Sequence, residues 1–235
     1  MSKKFAVIGL GRFGIEVALW LSQHHFSVLA IDINRNLVQD ISKDVDNALS
    51  FDSTNESALR EARIKDIDTV ICAIGDHNIQ NNILTTALLK QFGVTRIIAR
   101  ASTDLHARIL KVVGADEVVN PEKEMGLRTA QKIVTPGLTE LIPLSDNAAI
   151  AELKVPESFI GKNIYDLRVR SRYGINVIGI RRLIENTKHE TDKDKDEEEI
   201  RNFLLTFSSE DIFEQEDILV VAGKEDDVKK FAAIE

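Results

Sequence analysis

With 235 residues, of which 43% are hydrophobic, the chain is long enough for one large or two modest domains with a real apolar core. No apolar run is long enough to span a bilayer and no signal peptide is recognisable, so a membrane-spanning chain is not expected. The single cysteine, Cys72, excludes an intrachain disulfide, suits the reducing cytoplasm and lies in an apolar run as a buried small hydrophobe.

The net charge of −8 is carried by the C-terminal part of the chain. Up to Pro136 the sequence has 16 Lys and Arg residues and 16 Asp and Glu residues, and the remainder has 14 basic and 22 acidic residues. The first part is therefore neutral, and no basic face is evident. This balance argues against nucleic acid as a partner, because its phosphates are bound by clustered Lys and Arg side chains.

An apolar run at 5–8 ends in three glycines, Gly9, Gly11 and Gly14, and a segment with helical apolar periodicity follows at 15–21. This is the pattern G-x-G-x-x-G between a strand and a helix. Gly9 allows a tight turn, Gly11 lets the backbone approach a pyrophosphate, and Gly14 lets the helix pack on the strand. The free amides and the positive dipole end of the helix would then face phosphates.

An acidic residue stands at the distance that this motif requires. A second apolar run, at 28–31, ends at Asp32, about 20 residues after the glycines. The Asp32 carboxylate can accept hydrogen bonds from ribose hydroxyls and would repel a 2′-phosphate, which argues against NADP. The alternative is that Asp32 only forms a turn or caps a helix.

Short apolar runs alternate with helical segments over residues 4–120. The expected strands lie at 5–8, 28–31, 48–51, 69–73, 96–99 and 117–119, and helical periods lie between them, for example at 56–63, 79–92 and 105–113. This alternation predicts an α/β fold with a Rossmann-like, doubly wound parallel sheet that is covered by helices on both faces. Ligands of such sheets bind beyond the carboxyl ends of the strands.

The residues that follow the strands are therefore the candidates for a ligand site. Asp52 and Ser53 follow the third run, and either their side chains meet an adenine edge or the segment caps the next helix. Ile74, Gly75 and Asp76 follow the fourth run. The glycine there permits close approach of the backbone to a nucleoside.

Charged residues stand near the expected phosphate position. Arg12 lies inside the glycine loop and Arg100 follows the fifth run, and two guanidinium groups suit a highly charged terminal phosphate. His106 either faces the same cleft or is solvated on its helix. Glu122 follows the last run and either helps to hold Mg²⁺ or Ca²⁺ or only complements the dipole at a helix start.

The C-terminal part has a different pattern. Residues 131–143 are predicted as a helix that is interrupted near Pro136, and a boundary near residue 140 gives two domains, 1–140 and 141–235. Residues 188–199 are nearly all charged, which predicts a solvated or disordered acidic insertion. Strand patterns lie at 149–155, 174–182 and 217–222, and helical patterns lie at 164–170 and 225–231. Together they predict a small α+β module.

Several short motifs follow one another along nearly the whole chain. In the first part they are residues 5–14, Asp32-Ile33-Asn34, Ala73-Ile74-Gly75, Arg100-Ala101, Gly114-Ala115-Asp116 and residues 121–126. In the second part they are residues 159–162, Leu167 and residues 173–177. This combination resembles the cytosolic regulatory subunits of bacterial potassium-uptake systems, the Ktr/Trk type, which are built from RCK (regulator of K⁺ conductance) domains.

The resemblance implies a binding and gating function and not an enzyme. The N-terminal RCK domain of such subunits binds ATP and ADP in Ktr-like members and NAD(H) in Trk-like ones. Chains dimerise and assemble into rings, commonly octamers. The ring docks at the cytoplasmic face of the membrane and gates a membrane potassium transporter. The C-terminal RCK module of some members binds cyclic di-AMP in its dimer cleft.

The resemblance also implies roles for single residues. Arg12 would contact the terminal phosphates, Asp32 the ribose and Glu122 a divalent cation, while Asp52 and Ser53 would lie at the adenine. The nucleotide-binding residues that it implies are Gly9, Gly11, Arg12, Phe13, Gly14, Asp32, Ile33, Asn34, Asp52, Ser53, Ile74, Gly75, Asp76, Arg100, Ala101, Ser102, His106 and Glu122.

Two other functions stay open at this stage. An NAD-dependent oxidoreductase can share the same fold, since a fold alone does not settle function. Such an enzyme needs a general acid or base with a partner, and the sequence offers no recognisable pair. The third possibility is a metabolite-sensing adaptor that acts on some other partner.

Overall fold

The computed structural model describes residues 3–183, 201–204 and 211–234. By its contacts the chain divides into two compact units, Met1–Glu124 and Met125–Glu235, and each unit has its own sheet. One helix, Pro121–Val134, runs across this point of division. The domain boundary expected near residue 140 stays a prediction. The acidic insertion expected at 188–199 lies outside the described residues.

The first unit is built on a parallel sheet of six strands. They are β1 Lys4–Ile8, β2 Ser27–Asp32, β3 Asn47–Ser50, β4 Thr69–Cys72, β5 Arg96–Arg100 and β6 Glu117–Val119. Their order across the sheet is β3-β2-β1-β4-β5-β6, and every neighbouring pair is parallel. This is the order of a Rossmann-like doubly wound fold, so the predicted fold class is confirmed.

The strand register brings the ends of the central strands to one level. Ile8, the last residue of β1, pairs with Ile31 of β2 on one side and with Cys72 of β4 on the other. The winding direction of the chain reverses between β1 and β4, which opens a crevice beyond these ends. The loops after the strands therefore surround one space.

Helices flank this sheet. They are α1 Arg12–Gln23, α2 Arg35–Ile41, α3 Glu56–Glu61, α4 Ile79–Gln91 and α5 Asp104–Val113, and α6 Pro121–Val134 follows β6. Successive side chains of a strand point to opposite faces of the sheet, so β1 contributes side chains to two apolar layers. Val7 belongs to a cluster with Ala18 of α1, and Ile8 belongs to a cluster with Leu89 of α4.

Polar side chains fix where several helices begin. Asn34 caps α2 by accepting from the backbone N–H of Asn36 at 3.0 Å, Asn55 caps α3, and Thr103 caps α5. The N-cap of α1 is Gly11, so this helix begins at Arg12, ahead of the expected start at residue 15. Apolar periodicity detects only the positions that reach the core, and it misses the first turn.

The second unit is an antiparallel sheet packed against short helices. Its elements are β7 Leu138–Ser145, β8 Ala148–Lys154, α7 Ile164–Leu167, α8 Val169–Tyr173, β9 Asn176–Leu183, β10 Arg201–Leu204, β11 Ile218–Lys224 and α9 Glu225–Ala232. The strand order is β10-β9-β11-β8-β7. The predicted α+β module is confirmed, with one correction in β7.

The helix expected over 131–143 is wrong in its second half, because Leu138–Ser145 is the strand β7. The register of β7 against β8 shifts between Leu138 and Glu140. This irregularity leaves Leu138 and Leu141 both buried in the core, although strict alternation would place them on opposite faces. A spacing of three residues between buried leucines imitates a helix, which explains the error.

Cys72 is fully buried in β4, as expected. Burial raises the pKa of its thiol to about 12, so this group is not a reactive thiolate. In the part of the chain that the structure describes, no helix is both long enough and apolar enough to cross a membrane.

Candidate functional site

The turn after β1 tolerates only glycine at two positions. Gly9 has φ +96°, and a Cβ there would lie 2.8 Å from the backbone nitrogen of Ile74. A Cβ at Gly14 would lie 1.9 Å from the carbonyl oxygen of Gly9. Both distances are well inside van der Waals contact. The tight turn and the close approach of α1 to the strand therefore depend on these two glycines.

Gly11 is not required by the contacts of the chain itself. Its φ of −71° suits any residue, and a Cβ there would meet no described atom within 4 Å. Gly11 is the N-cap of α1, and the first turn of that helix contains no acidic residue. The first turn of α1 therefore offers exposed positions at Gly11 and Arg12 and no acidic side chain of its own, which suits an anion-binding helix start.

Arg12 and Phe13 stand at the start of α1 in different surroundings. Arg12 is exposed. Phe13 is half-buried and packs against the apolar cluster on the α1 side of the sheet. Phe13 therefore serves the core, and Arg12 is the cationic side chain available at this end of the site.

Asp32 ties the glycine loop to the end of β2. Its Oδ2 accepts the backbone N–H of Leu10 at 2.6 Å, and its Oδ1 accepts the backbone N–H of Asn34 at 2.7 Å. A carboxylate offers about four acceptor positions, so two remain for other donors. The turn role and the ribose role that the sequence suggested for Asp32 are therefore compatible. The next residue, Ile33, is 67% exposed.

Asp52 and Ser53 do not cap α3, so that alternative for these two residues is wrong. Asp52 Oδ1 accepts the backbone N–H and the hydroxyl of Thr54, at 2.9 and 2.8 Å, while Asn55 caps the helix. Ser53 is buried, and its Oγ lies 2.7 Å from Oγ1 of Thr85 on α4. The Ser53 hydroxyl is thus held against α4, and Asp52 keeps acceptor capacity for a ligand.

A groove at the carboxyl ends of β1 to β4 collects many of the candidate residues. It encloses about 570 Å³, part of which is open to solvent. Predicted site residues that line it are Gly9, Gly11, Asp32, Ile33, Asp52, Ser53, Ile74 and Gly75. Sequence reasoning missed other lining residues, which are Ile8, Ile31, Phe51, Ala73, Asn78 and Asn81.

The missed asparagines have a recognisable signal. Asn78 and Asn81 are polar residues spaced by three at the start of the helical period that follows the fourth strand. Residues three positions apart at a helix start lie on the same side, and both of these side chains line the groove. Their amide groups can donate and accept, which suits recognition of a base or a ribose.

Gly75 and Asp76 follow β4. Gly75 has an ordinary φ of −78°, and a Cβ there would lie 3.7 Å from Nη1 of Arg100, which is normal contact. The chain itself does not require glycine at this position. Asp76 begins a short 3₁₀ turn, and its side chain is 54% exposed.

Arg100 is the centre of an ionic cluster beside the groove. Its Nη2 lies 2.6 Å from Oε1 of Glu122 and 3.8 Å from Oδ1 of Asp76. The Arg100 side chain is only 13% exposed, and its buried Nε has no hydrogen-bond partner among the described residues. Because Glu122 already compensates its charge, a phosphate that bound Arg100 would compete with this carboxylate.

His106 is buried and not solvated, so the solvated alternative is wrong. Its Nδ1 lies 3.3 Å from Oγ of Ser102, and its Nε2 has no hydrogen-bond partner among the described residues. Burial lowers the pKa of His106, and the charge of Asp76 partly opposes that shift. Ala101 is fully buried and belongs to the core beneath these residues.

Within the described residues, no group of three or more His, Cys, Asp or Glu side chains is placed to hold a metal ion. Glu122 and Asp76 share the guanidinium of Arg100. A cation at Glu122 would therefore need further oxygens from outside this donor set, for example from a bound phosphate. The cation role of Glu122 stays a prediction.

Sequence comparison identifies relatives along the whole chain. Residues 5–121 match the family model of the TrkA-N domain. The chain is 37% identical to Ktr system potassium uptake protein C of Bacillus subtilis (strain 168), over 98% of this chain and 96% of the relative. It is 36% identical to Ktr system potassium uptake protein A of the same strain, with the same coverage.

Solved structures show the same fold at low sequence identity. The GsuK channel matches with a TM-score of 0.68 and 19% identity, over 100% of this chain and 40% of that one. The TrkA-N domain of the inner membrane protein YbaL from Escherichia coli matches with a TM-score of 0.51 and 22% identity, over 57% of this chain and 98% of that one. This chain spans less than half the length of the GsuK chains that it matches.

The parallel sheet, the glycine turn and the TrkA-N match define a protein with a Rossmann-like TrkA-N domain, which is followed by a small α+β module. The chain belongs to the family of Ktr potassium uptake proteins. The family that the sequence motifs indicated is thereby confirmed.

Proposed function

We propose that this chain is a cytoplasmic, nucleotide-binding regulatory subunit that gates a membrane potassium transporter. The observation that carries the proposal is the groove, where the glycine turn, Asp32 and the loops after β3 and β4 surround one space. The chain that contains it is 37% identical to a Ktr potassium uptake protein over 98% of its length. In this proposal the output is a change of conformation and not a chemical reaction.

The proposed ligand is ATP or ADP, or alternatively NAD(H). Its phosphates lie at the open start of α1, its ribose hydroxyls donate to Asp32, and its base lies toward Asp52 and Ile74. A 2′-phosphate would approach the Asp32 carboxylate and be repelled, which excludes NADP(H). A solved GsuK channel of similar fold, with a TM-score of 0.65 and 19% identity, is described as bound to NAD.

The charged cluster supplies the switch in this proposal. The terminal phosphate of ATP carries enough charge to compete for Arg12 and for Arg100, which is paired with Glu122 in the structure. Glu122, once released, would face phosphate oxygens, and a Mg²⁺ or Ca²⁺ ion between them removes the repulsion. ADP lacks the terminal phosphate, so it leaves the pair of Arg100 and Glu122 intact.

The proposed assembly follows the family. Chains form dimers, the dimers form a ring of the octamer type, and the ring acts at the inner face of the cell membrane on the transporter subunit. The C-terminal module is proposed as the place for cyclic di-AMP. Differential affinity of a ligand for two ring conformations is what converts binding into gating.

Calorimetric titration of the purified full chain with ATP, ADP, NADH and NADPH tests the proposal. We expect at least one of the first three to bind, and NADPH to bind at least tenfold more weakly than NADH. If no nucleotide binds, the regulatory proposal fails. If NADPH binds as tightly as NADH, Asp32 does not face the ribose.

A further inference from the structure

The inward face of α4 is polar where an apolar face is expected. The buried residues of this helix are Asn82, Thr85, Thr86 and Leu89, which have the i, i+3, i+4, i+7 spacing of a core-facing stripe. Asn82, Thr85 and Thr86 have no exposed surface at all. Burying polar groups costs free energy unless they are hydrogen-bonded, so each of them needs a partner inside the unit.

Asn82 uses its amide group to bridge two strands. Its Nδ2 donates to the carbonyl oxygen of Ile74 at 3.0 Å and to the carbonyl oxygen of Arg100 at 2.9 Å. Its Oδ1 lies 3.4 Å from Sγ of Cys72 and 3.5 Å from Oγ1 of Thr86. One side chain therefore connects the end of β4 with the end of β5.

The bridge lies where the backbone ladder has stopped. The last paired residues of β4 and β5 are Cys72 and Ala99. The carbonyl groups that Asn82 holds belong to the residues just beyond this pair. One of them, Ile74, lines the groove, and Arg100 carries the guanidinium that lies against Gly75 and pairs with Glu122.

We propose that Asn82 is a positioning residue of the nucleotide site, which sets the separation between the loop after β4 and Arg100. This inference rests on the proposed nucleotide function, and it adds a residue that touches neither phosphate nor base. A side chain that only filled space at this position would be apolar, because an unneeded buried amide has no stabilising advantage over a well-packed aliphatic group. The two carbonyl acceptors give Asn82 its role.

The test compares Asn82→Ser with Thr86→Val. The serine variant packs easily but is too short to reach both carbonyl groups. The valine variant removes a buried hydroxyl from the same face of α4. That hydroxyl lies at the long distance of 3.5 Å from Oδ1 of Asn82 and also hydrogen-bonds the side chain of Cys72. Circular dichroism melting first fixes a temperature at which all variants are folded.

Amide hydrogen exchange without nucleotide measures directly whether Asn82 holds the two strand ends in place. We expect Asn82→Ser to speed amide exchange at least tenfold in residues 73–76 and 100–102, with β2 unchanged and Thr86→Val like the wild type. Uniform acceleration over the whole unit would show a purely structural role and would overturn the proposal. Unchanged exchange in the two segments would also overturn it.

Titration with ATP and ADP reads the consequence. We expect Asn82→Ser to weaken binding at least tenfold and Thr86→Val less than twofold. In an Arg100→Ala background, Asn82→Ser should cost less than threefold, since both variants then act through one contact. Fully additive losses would overturn the positioning role. If the wild type binds no nucleotide, the proposed function fails, while the exchange experiment still decides whether Asn82 holds the two strand ends.

Discussion

Glycines of one motif are required for different reasons. At Gly9 and Gly14 the protein's own backbone leaves no room for a Cβ, whereas at Gly11 a Cβ would meet no described atom. Contacts within the chain therefore explain two of the three motif glycines. The third is left to be explained by the ligand that approaches the start of α1.

The first prediction separates these two causes with matched variants. Gly14→Ala places a methyl group against the Gly9 carbonyl, so we expect the free energy of unfolding to fall by about 3 kcal/mol or more. Gly11→Ala should change it by less than about 1 kcal/mol but weaken nucleotide binding at least tenfold. Urea unfolding and calorimetry measure the two quantities. Equal destabilisation by both variants would contradict the assignment.

The second prediction concerns Glu122 and the cation. We expect Mg²⁺ to raise the melting temperature by about 5 °C or more with ATP and much less with ADP. Glu122→Gln should abolish this difference while nucleotide binding stays measurable. Glu124→Gln is the matched control, because Glu124 stands in the same first turn of α6. A Glu122→Gln variant that keeps the whole ATP-specific effect would place the cation elsewhere.

The third prediction follows from the buried His106. Its pKa is lowered in the folded state, so the unfolded chain binds the proton more readily. The stabilising contribution is complete above about pH 6.5 and is lost as the pH falls toward the folded-state pKa. We expect His106→Phe to flatten the fall in the free energy of unfolding between pH 7 and 5. Urea unfolding at each pH measures the fall, and an unchanged fall in His106→Phe would refute the prediction.

At the scale of elements, the sequence predicted the parallel sheet because each strand is a short apolar run. The expected run at 5–8 became β1 Lys4–Ile8, and that at 117–119 became β6 Glu117–Val119. The strand β7 was missed because Leu138 and Leu141 are three positions apart, a spacing typical of a helix. An irregularity in the register of the strand allows both side chains to be buried. Periodicity predicts an element only while the element keeps its ideal geometry.

The candidate site was predictable where it follows a recurring motif. The glycine turn and Asp32 stand at the spacing of the dinucleotide-binding motif, which the sequence shows directly. The pair of Arg100 with Glu122 spans the same distance of 22 positions as the contact of Leu10 with Asp32, but it belongs to no such motif. The inward direction of Asn82 was equally hidden, because a polar residue in a helical period resembles an exposed one.

The fourth prediction concerns the buried ion pair of Arg182 with Asp217 in the second unit. Arg182 of β9 donates to both carboxylate oxygens of Asp217 at 2.7 Å, and the Asp217 side chain is fully buried. This hydrogen bond also raises the pKa of Arg182. Arg182→Met would leave a buried charge, so we expect a loss of roughly 3 kcal/mol in urea unfolding. Arg181→Met, which breaks a more exposed pair with Glu152, should cost about 1 kcal/mol; equal losses would contradict the burial argument.

At the scale of the whole molecule, α6 is a helix without a buried face. None of its residues, all within the described part of the chain, is buried. Leu127, Ile133 and Val134 are 57%, 76% and 75% exposed. A lone helix of this length is marginal in water, and most helices are stabilised by packing an apolar face. In the proposed assembly, a second copy of the chain would cover this helix.

The last prediction is therefore a homo-oligomer larger than a dimer, measured by light scattering with ATP present. The double variant Ile133→Glu/Val134→Glu should reduce the molar mass, because two charges on an apolar contact oppose its burial. The conservative pair Ile133→Leu/Val134→Ile keeps the surface apolar and should keep the wild-type mass. If the wild type is a stable monomer with nucleotide bound, the assembly proposal fails. If the glutamate variant keeps its full mass, the chains associate through another surface and α6 stays exposed in the assembly.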